Sequence, residues 1–229
     1  RSSAGAWLLI DFDATVEIGA PVGSKSSSAW DPPEMTIEDA RGAVSLRVDG
    51  SGHAPLAASP QFDLWSLGVL AFRSLARRPL FNSDDRDNMR DDDELRRLAR
   101  WDARSVADAA RAVMCEMRVH GGASARDQLA AAEMIAWLLQ RDPTQRPAGC
   151  DALLGHAFFS PEGAWRMSPL HVDAALGKLD LDLETVPLAS GDGVLGLSPL
   201  HLAATFLQAE IIAVLLSSGA SPDALDAEG

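Results

Sequence analysis

The feature that most constrains the fold is an apolar stretch at residues 61–75, QFDLWSLGVLAFRSL. Wound at helical pitch, its apolar side chains point in every direction, and such a helix is either buried in a core or spans a membrane. Asp63, Ser66 and Arg73 interrupt the stretch. It is also shorter than the roughly 20 residues that a membrane span needs. The sequence therefore predicts a central core helix.

Asp63 lies at the beginning of this predicted helix. A buried carboxylate there is costly unless it accepts hydrogen bonds from backbone N–H groups or pairs with a cation. Taken alone, the position is typical of an ordinary N-cap. The pattern of residues 63–68, Asp-Leu-Trp-Ser-Leu-Gly, resembles the D-x-W-S-x-G signature that opens the central helix of the large lobe in eukaryotic protein kinases. The resemblance implies a structural role for Asp63, which would hold the backbone of the catalytic loop.

Composition excludes several classes of protein. Of the 229 residues, 47% are apolar, enough for a real core, and the formal net charge is −13. Because an acidic surface repels phosphate backbones and anionic lipid, we expect no nucleic-acid and no membrane partner. Cys115 and Cys150 are the only cysteines and form no C-x-x-C pair, so we expect free thiols and a cytoplasmic location. The chain opens on Arg1 and stops within a repeat-like pattern, and we expect it to be a fragment of a longer product.

A candidate cation site follows an apolar run of strand length at residues 7–10. The run leads directly into Asp11-Phe12-Asp13, with Phe12 expected to anchor the turn in the core. A plain turn aspartate would explain Asp11 equally well. The triplet resembles the kinase D-F-G motif, whose Asp holds Mg²⁺ against the ATP phosphates. The resemblance implies that Asp11 binds the metal and the cofactor, with ATP and Mg²⁺ used by the intact protein, although Asp13 replaces the family's Gly.

Residues 19–29, GAPVGSKSSSA, are rich in Gly and Ser and predict a mobile loop. The loop ends in Trp30-Asp31-Pro32-Pro33-Glu34, which resembles the Y-x-A-P-E that closes the kinase activation segment. On that register Ser27 belongs to the loop that faces the substrate hydroxyl. The serines at 24 and 26–28 could accept phosphate, but a serine-rich loop is also simply flexible.

Glu34 has a predicted partner far along the chain. Residues 141–147, RDPTQRP, resemble the R-D-P-x-x-R-P near the end of the kinase fold, whose second Arg pairs with the A-P-E glutamate. The resemblance implies a buried structural ion pair between Glu34 and Arg146. Removing one partner of such a pair costs about 3–5 kcal/mol.

The rest of residues 1–165 is predicted to be mainly helical. Residues 35–59 form an insertion with a hairpin arm and no assigned role. Helices are expected over 94–101, 106–117, 129–140 and 150–154. The second and third are amphipathic, with Ile135, Leu138 and Leu139 expected to face inward. The first of these follows three acidic residues that favour its N-terminus. Residues 155–159 resemble the closing H-P-F-F of the kinase fold, so the resemblance spans about residues 1–165.

Residues 166–229 follow a different pattern. Ser-Pro-Leu-His at 168–171 recurs at 198–201, and an apolar helix pattern at 210–216 leads to Gly-Ala-Ser-Pro-Asp at 219–223. This resembles the ankyrin repeat, T-P-L-H-x-A followed by a second helix. The motifs are 30 residues apart, not 33, and 176–193 lacks a clear second helix, which indicates about two repeats with the first degenerate. We expect His171 and His201 to bond neighbouring turns and a protein partner to bind the repeats. From residue 167 onward nine residues are acidic and one is basic, so a basic patch on that partner would be complementary.

Taken together, the sequence predicts a mainly α protein, with a protein-kinase-like C-terminal lobe followed by ankyrin-type helix-turn-helix repeats. The predicted function is part of a Ser/Thr-type protein kinase, which transfers phosphate from ATP to hydroxyls of protein substrates and whose repeats choose partners. The alternative is a pseudokinase scaffold with a protein-interaction role only. Asp13 favours the scaffold, whereas Asp11, Glu34, Asp63 and Arg146 favour the kinase. The Gly-rich loop and catalytic-loop Asp of the family precede its D-F-G triplet, so we expect the isolated chain to be inactive.

Overall fold

The computed structural model describes residues 12–23, 27–47, 53–120, 122–184, 187–189, 191 and 195–225. Within these residues the protein is mainly α, as predicted, with eight α-helices and one two-stranded hairpin. The helices are α1 (Pro60–Ala76), α2 (Asp92–Ala99), α3 (Ala103–His120), α4 (Ala125–Leu138), α5 (Cys150–Leu154), α6 (Pro169–Leu176), α7 (Pro199–Thr205) and α8 (Ala209–Ser217). The hairpin consists of β1 (Thr36–Glu38) and β2 (Val44–Leu46), and single 3-10 turns occupy Ser28–Trp30, Pro33–Met35 and Pro143–Gln145.

Helix α1 has clear start and stop signals in its sequence. Pro60 occupies the first turn, where its missing N–H leaves no hydrogen bond unmade. After Ala76 the chain turns through Arg77, which adopts the left-handed conformation at φ 54°. Pro79 follows two residues later and cannot continue a helix.

The apolar residues of α1 are not all in the core. Leu64, Trp65 and Phe72 are buried, whereas Leu67 is 38% and Leu70 is 50% exposed. The prediction of a helix buried on every side is therefore wrong for this face. The main helical neighbours of α1 are α3 and α4, and two helices cannot enclose a third completely.

Helix α1 and the α4 region lie close together at Gly68. A Cβ atom built on Gly68 would lie 2.8 Å from the Leu138 Cβ and 2.9 Å from the Leu139 Cδ2. Glycine is therefore required here because the packed helices leave no room for a side chain. Its backbone conformation is helical and does not by itself require glycine.

Helices α3 and α4 form the most extensive helix pair of the fold. Helix α4 begins with a capping box between Ser124 and Asp127. Ile135 and Leu138 of this helix and Leu139, which follows it, each have no exposed surface, which confirms their predicted inward orientation. This pair forms the base on which the other elements pack.

Trp101 links the α2–α3 connection to the centre of the core. Its indole Nε1 donates a hydrogen bond of 2.8 Å to the Leu139 carbonyl oxygen. Its ring meets the Trp65 ring edge to face, with centroids 5.5 Å apart. Aromatic pairs in this arrangement contribute about 0.5–1.5 kcal/mol beyond the area they bury.

The hairpin lies in the predicted insertion. Strand β2 was predicted as an alternating arm, and it pairs antiparallel with β1, which precedes it. The turn between them is held by Asp39, whose Oδ1 accepts hydrogen bonds from the N–H groups of Arg41 and Ala43. Gly42 supplies the left-handed residue of this turn at φ 80°.

The C-terminal helices share the apolar core of the preceding helical body. Met167, Val172 and Leu202 belong to the same cluster of buried side chains as Leu129 and Trp65. Helix α6 contacts α4, and α7 contacts both α6 and α8. No break in the core therefore coincides with the boundary predicted at residue 165.

The first repeat is incomplete. In the described part of residues 177–198 no helix follows α6, in agreement with the predicted degeneracy. Instead, Leu181 and Leu183 pack against a small cluster that includes Ile211 and Leu215 of α8. Their neighbours Asp180, Asp182 and Glu184 are exposed.

Candidate functional site

The side chains of Glu34 and Arg146 form a bidentate pair. Both N–O distances, Nη1 to Oε1 and Nη2 to Oε2, are 2.7 Å. The other donors of Arg146 reach the carbonyl oxygens of Gln140, Gln61 and Arg141 at 2.7, 3.1 and 3.1 Å. All five N–H groups of this guanidinium, on a residue only 4% exposed, therefore have an acceptor. The structure thus brings together the two residues that the kinase resemblance paired.

Two further motif residues meet at the same place. The Arg146 guanidinium lies over the Trp65 ring, 5.1 Å from its centroid. The adjacent Ser66 hydroxyl donates a hydrogen bond of 3.0 Å to the Trp30 carbonyl oxygen. Three motifs that are separate in the sequence, around residues 30–34, 63–68 and 141–147, therefore converge on one buried junction.

Ser27 is half-buried and lies immediately before the 3-10 turn Ser28–Trp30. It lines a cavity of about 690 Å³ between the 13–31 segment and the beginning of α1. Ser28 is only 8% exposed, and its Oγ accepts the Met89 N–H at 2.8 Å. This buried hydroxyl, bonded to a backbone N–H, is shielded from a phosphate donor, whereas the sequence left phosphate acceptance by these serines open. Ser24 and Ser26 lie outside the described residues.

Asp63 differs from its predicted environment. It is exposed, lies in the first turn of α1 and makes no hydrogen bond or ion pair within the described part of the chain. The N-cap residue of α1 is Ser59, so the interpretation of Asp63 as an N-cap is wrong. Asp63 lines the same cavity as Ser27.

The predicted metal and cofactor residue, Asp11, lies outside the described residues. Its neighbour Phe12 is 61% exposed and does not anchor the turn in the core. Among the described residues, no group of three or more His, Cys, Asp or Glu side chains is arranged to hold a metal ion. Asp11 as a ligand of Mg²⁺ and ATP stays a prediction.

The two Ser-Pro-Leu-His motifs form helix starts. In α7 the Ser198 Oγ accepts the His201 N–H at 3.3 Å, while the His201 Nδ1 accepts the Ser198 N–H at 3.1 Å. In α6 the Ser168 hydroxyl lies 2.6 Å from the His171 Nδ1. Both histidines thus bond the first turn of their own helix, and their predicted bonds to neighbouring turns stay a prediction.

Glu133 is a buried polar residue that the sequence did not reveal. It has no exposed surface, and its Oε1 accepts hydrogen bonds from the backbone N–H groups of Arg166 and Met167. Its Oε2 lies 3.1 Å from the His156 Nε2, without making a hydrogen bond to it. Glu133 therefore connects α4 to the beginning of the repeat segment.

Two aspartates are held in their ionised form by turns next to these elements. Hydrogen bonds from the Thr144 hydroxyl and N–H lower the pKa of Asp142, which opens the turn that carries Arg146. Hydrogen bonds from the Ser105 N–H and hydroxyl lower the pKa of Asp102, the residue immediately before α3. Each carboxylate thereby fixes the start of the element that follows it.

The comparison with protein families identifies one segment. The family model of the ankyrin repeat matches residues 195–227. No curated protein and no solved structure is significantly similar to the chain, and no comparison supports the kinase-like resemblance of residues 1–165. Within the described residues, no helix combines the length and the apolar character that crossing a membrane requires. The matched segment contains α7 and α8, packed as a helical pair. Residues 195–227 are thus similar to an ankyrin repeat, a unit typical of protein–protein interaction.

Proposed function

We propose that the chain binds a protein partner through its ankyrin-type segment and that the partner presents a basic surface. The observation that carries this proposal is the ankyrin repeat at residues 195–227. From residue 167 onward the repeat segment also has surplus negative charge, because its single Lys or Arg there, Lys178, is already paired with Asp173 at 2.6 Å. Asp180, Asp182 and Glu184 remain exposed beside it.

The test compares two charge-neutralised variants of the chain. One carries Asp180→Asn, Asp182→Asn and Glu184→Gln, and the control carries Asp85→Asn, Asp92→Asn and Asp93→Asn, far from the repeat. Proteins captured from an extract are quantified at low and at high salt. We expect a partner that the control retains, that the first variant loses and that high salt releases. Equal capture by both variants would contradict the proposal.

A second candidate function rests on a different observation. Residues 1–165 are proposed to belong to a Ser/Thr-type protein kinase, with ATP and Mg²⁺ as cofactors of the intact protein and protein hydroxyls as substrates. The Glu34–Arg146 pair and the Ser66–Trp30 hydrogen bond support this candidate, because they join three motifs on which the resemblance depends. In this proposal Asp11 binds Mg²⁺–ATP and Ser27 belongs to the loop that faces the substrate.

The kinase and the pseudokinase scaffold differ in one measurable property. In the full gene product, a kinase would transfer labelled phosphate from ATP to protein, and Asp11→Asn would abolish the transfer while leaving the melting temperature unchanged. A scaffold would show no transfer in either form and would keep its partner. The 229-residue chain by itself is expected to transfer no phosphate, because phosphoryl transfer needs a Gly-rich loop and a catalytic-loop Asp.

A further inference from the structure

Residues 179–184, which follow α6, have the side-chain pattern of a β-strand, and we call them the acidic segment. Leu181 and Leu183 are half-buried and pack against the cluster that contains Ile211 and Leu215 of α8. Three exposed carboxylates alternate with these leucines, at Asp180, Asp182 and Glu184. Alternation with a period of two places the leucines on one face of an extended chain and the carboxylates on the other.

The backbone of the acidic segment is unpaired. Within the described part of the chain, the N–H and C=O groups of residues 179–183 have no hydrogen-bond partner. The Glu184 N–H bonds locally, to the Asp182 Oδ1 at 3.2 Å. The segment contains neither Gly nor Pro, the residues that interrupt strands. A strand pattern with unpaired backbone groups is the arrangement to which another chain can add a strand.

Charge selects the kind of strand that can be added. A second copy of the acidic segment would place carboxylates opposite carboxylates, and like charges in opposite positions destabilise a strand pair. The adjacent cation, Lys178, is already 2.6 Å from Asp173. Carboxylates at every second residue, about 6.6 Å apart in an extended chain, match basic side chains at every second position of a partner strand. Basic side chains on one face of a helix recur every three or four residues and do not match this spacing.

We propose that the acidic segment binds an extended segment of a protein partner by β-strand addition, with Lys or Arg at every second position of the bound segment. This inference rests on the proposed function, a partner with a basic surface, and adds the conformation and the residue pattern of what is bound. Backbone hydrogen bonds would join the two strands, and the alternate cations would pair with the three exposed carboxylates. Because strands pair side by side, Leu181 and Leu183 would keep their packed positions.

The test is an NMR titration of the full chain with two blocked peptides of identical composition. The alternating peptide, Ac-Thr-Lys-Val-Lys-Thr-Lys-Val-amide, has lysine at every second position, whereas the block peptide, Ac-Thr-Val-Lys-Lys-Lys-Thr-Val-amide, has consecutive lysines. We expect the alternating peptide to shift the backbone N–H signals of residues 180–183 saturably and to bind at least about fivefold more tightly than the block peptide. Equal affinities would overturn the inference and leave the proposed basic partner standing. Absence of binding by the alternating peptide would also overturn it.

Two N-methylated forms of the alternating peptide separate backbone pairing from charge. One form carries the methyl groups on its lysine nitrogens in the backbone, and the other carries them on the residues between the lysines. Each pattern removes the N–H donors from one edge of the peptide strand and leaves its charge unchanged. One of the two forms should therefore bind at least about tenfold weaker than the unmethylated peptide. Full affinity in both forms would refute strand addition, whereas the proposed function would survive.

A charge swap tests whether the peptide binds at the acidic segment. The swap variant reverses the three exposed carboxylates, with Asp180→Lys, Asp182→Lys and Glu184→Lys. It should bind the alternating lysine peptide at least about tenfold more weakly and should bind the glutamate counterpart of that peptide instead. The control reverses three exposed carboxylates outside the repeat segment, with Glu17→Lys, Asp85→Lys and Asp151→Lys. Its affinity for the lysine peptide should stay within about twofold of the unchanged chain. Equal losses in the two variants would refute the assignment.

Discussion

Arg146 holds Glu34 across 112 residues of sequence, with two N–O distances of 2.7 Å. The arginine side chain has no exposed surface, and the glutamate side chain is 17% exposed. The pair therefore connects the 3-10 turn after Pro32 to the turn before α5 in a largely water-excluded position. Few contacts in the protein join such distant parts of the chain by charge.

Removing one partner of this pair should be strongly destabilising. We expect Arg146→Ala to lower the free energy of unfolding by about 3–5 kcal/mol, because Glu34 would be left as an uncompensated, largely buried charge. Chemical denaturation measures the change. As a control, Arg96→Ala removes an exposed pair with Asp93 on α2 and should cost less than about 1 kcal/mol. Similar losses in the two variants would contradict the prediction.

The repeat segment and the helical body should unfold together, because their buried side chains form one core. All six tryptophans lie in the first 165 residues, so tryptophan fluorescence reports mainly on the helical body, although Arg166 contacts the Trp137 ring. Leu202→Ala in α7 should nevertheless lower the free energy of unfolding measured from that fluorescence by about 2–5 kcal/mol. Leu216→Ala, at a 41% exposed position in the same repeat, should shift it little. An unchanged transition in Leu202→Ala would mean that the repeat unfolds independently.

Gly68→Ala should destabilise the protein although alanine favours a helix. The added Cβ would lie 2.8 Å from the Leu138 Cβ, so α1 and α4 would have to separate. We expect a cost of about 1–3 kcal/mol from overpacking, larger than the gain of about 1 kcal/mol from helix propensity. Gly149→Ala has open space around its added Cβ and should be close to neutral in the same denaturation experiment.

Leu207→Gly should stabilise the protein. Leu207 adopts φ 59° with 84% of its surface exposed, so it combines a strained backbone with little burial. Removing the backbone strain should stabilise the fold by about 1–2 kcal/mol, whereas the greater unfolded-state entropy of glycine costs about 0.4–1 kcal/mol. The free energy of unfolding should therefore rise by about 0.5–1 kcal/mol. Gly177, at φ 77° after α6, should show the reverse, since a residue with a Cβ is strained in this left-handed conformation. A lower melting temperature for Leu207→Gly would contradict this interpretation.

The contribution of Asp102 should depend on pH. Hydrogen bonds from the Ser105 N–H and hydroxyl lower its pKa in the folded protein below the unfolded value of 3.8. Its stabilisation is therefore fully present above pH 3.8 and is lost as the pH falls through the lower folded pKa. We expect Asp102→Ala to cost about 0.5–2 kcal/mol at pH 7 and progressively less below pH 3.8. A difference that stays constant in acid would exclude a role for the ionised carboxylate.

Some features were predictable because local patterns determine them. Asp91 and Ser198 precede helices at positions where a short side chain can accept a backbone N–H, and both do so. The contact between Glu34 and Arg146 was predictable only through motif resemblance, since nothing in the spacing of the two residues indicates that they meet.

Other features depend on tertiary neighbours that periodicity does not specify. An all-round apolar helix predicts burial everywhere, yet exposure at Leu67 and Leu70 depends on how many helices surround α1. The burial of Glu133 could not be predicted from the sequence either, because a glutamate in an alanine-rich helix normally faces solvent. Its backbone partners lie 33 and 34 residues further along the chain.

The core shared by α4, α6 and α7 has a consequence for modular engineering. Arrays of repeats generally require a terminal unit with a polar outer side to stay dispersed in water. Here the helical body covers the predicted first repeat, whose side facing α4 is apolar at Met167 and Val172. If this segment were fused to another protein, a new packing partner would therefore have to cover those two side chains.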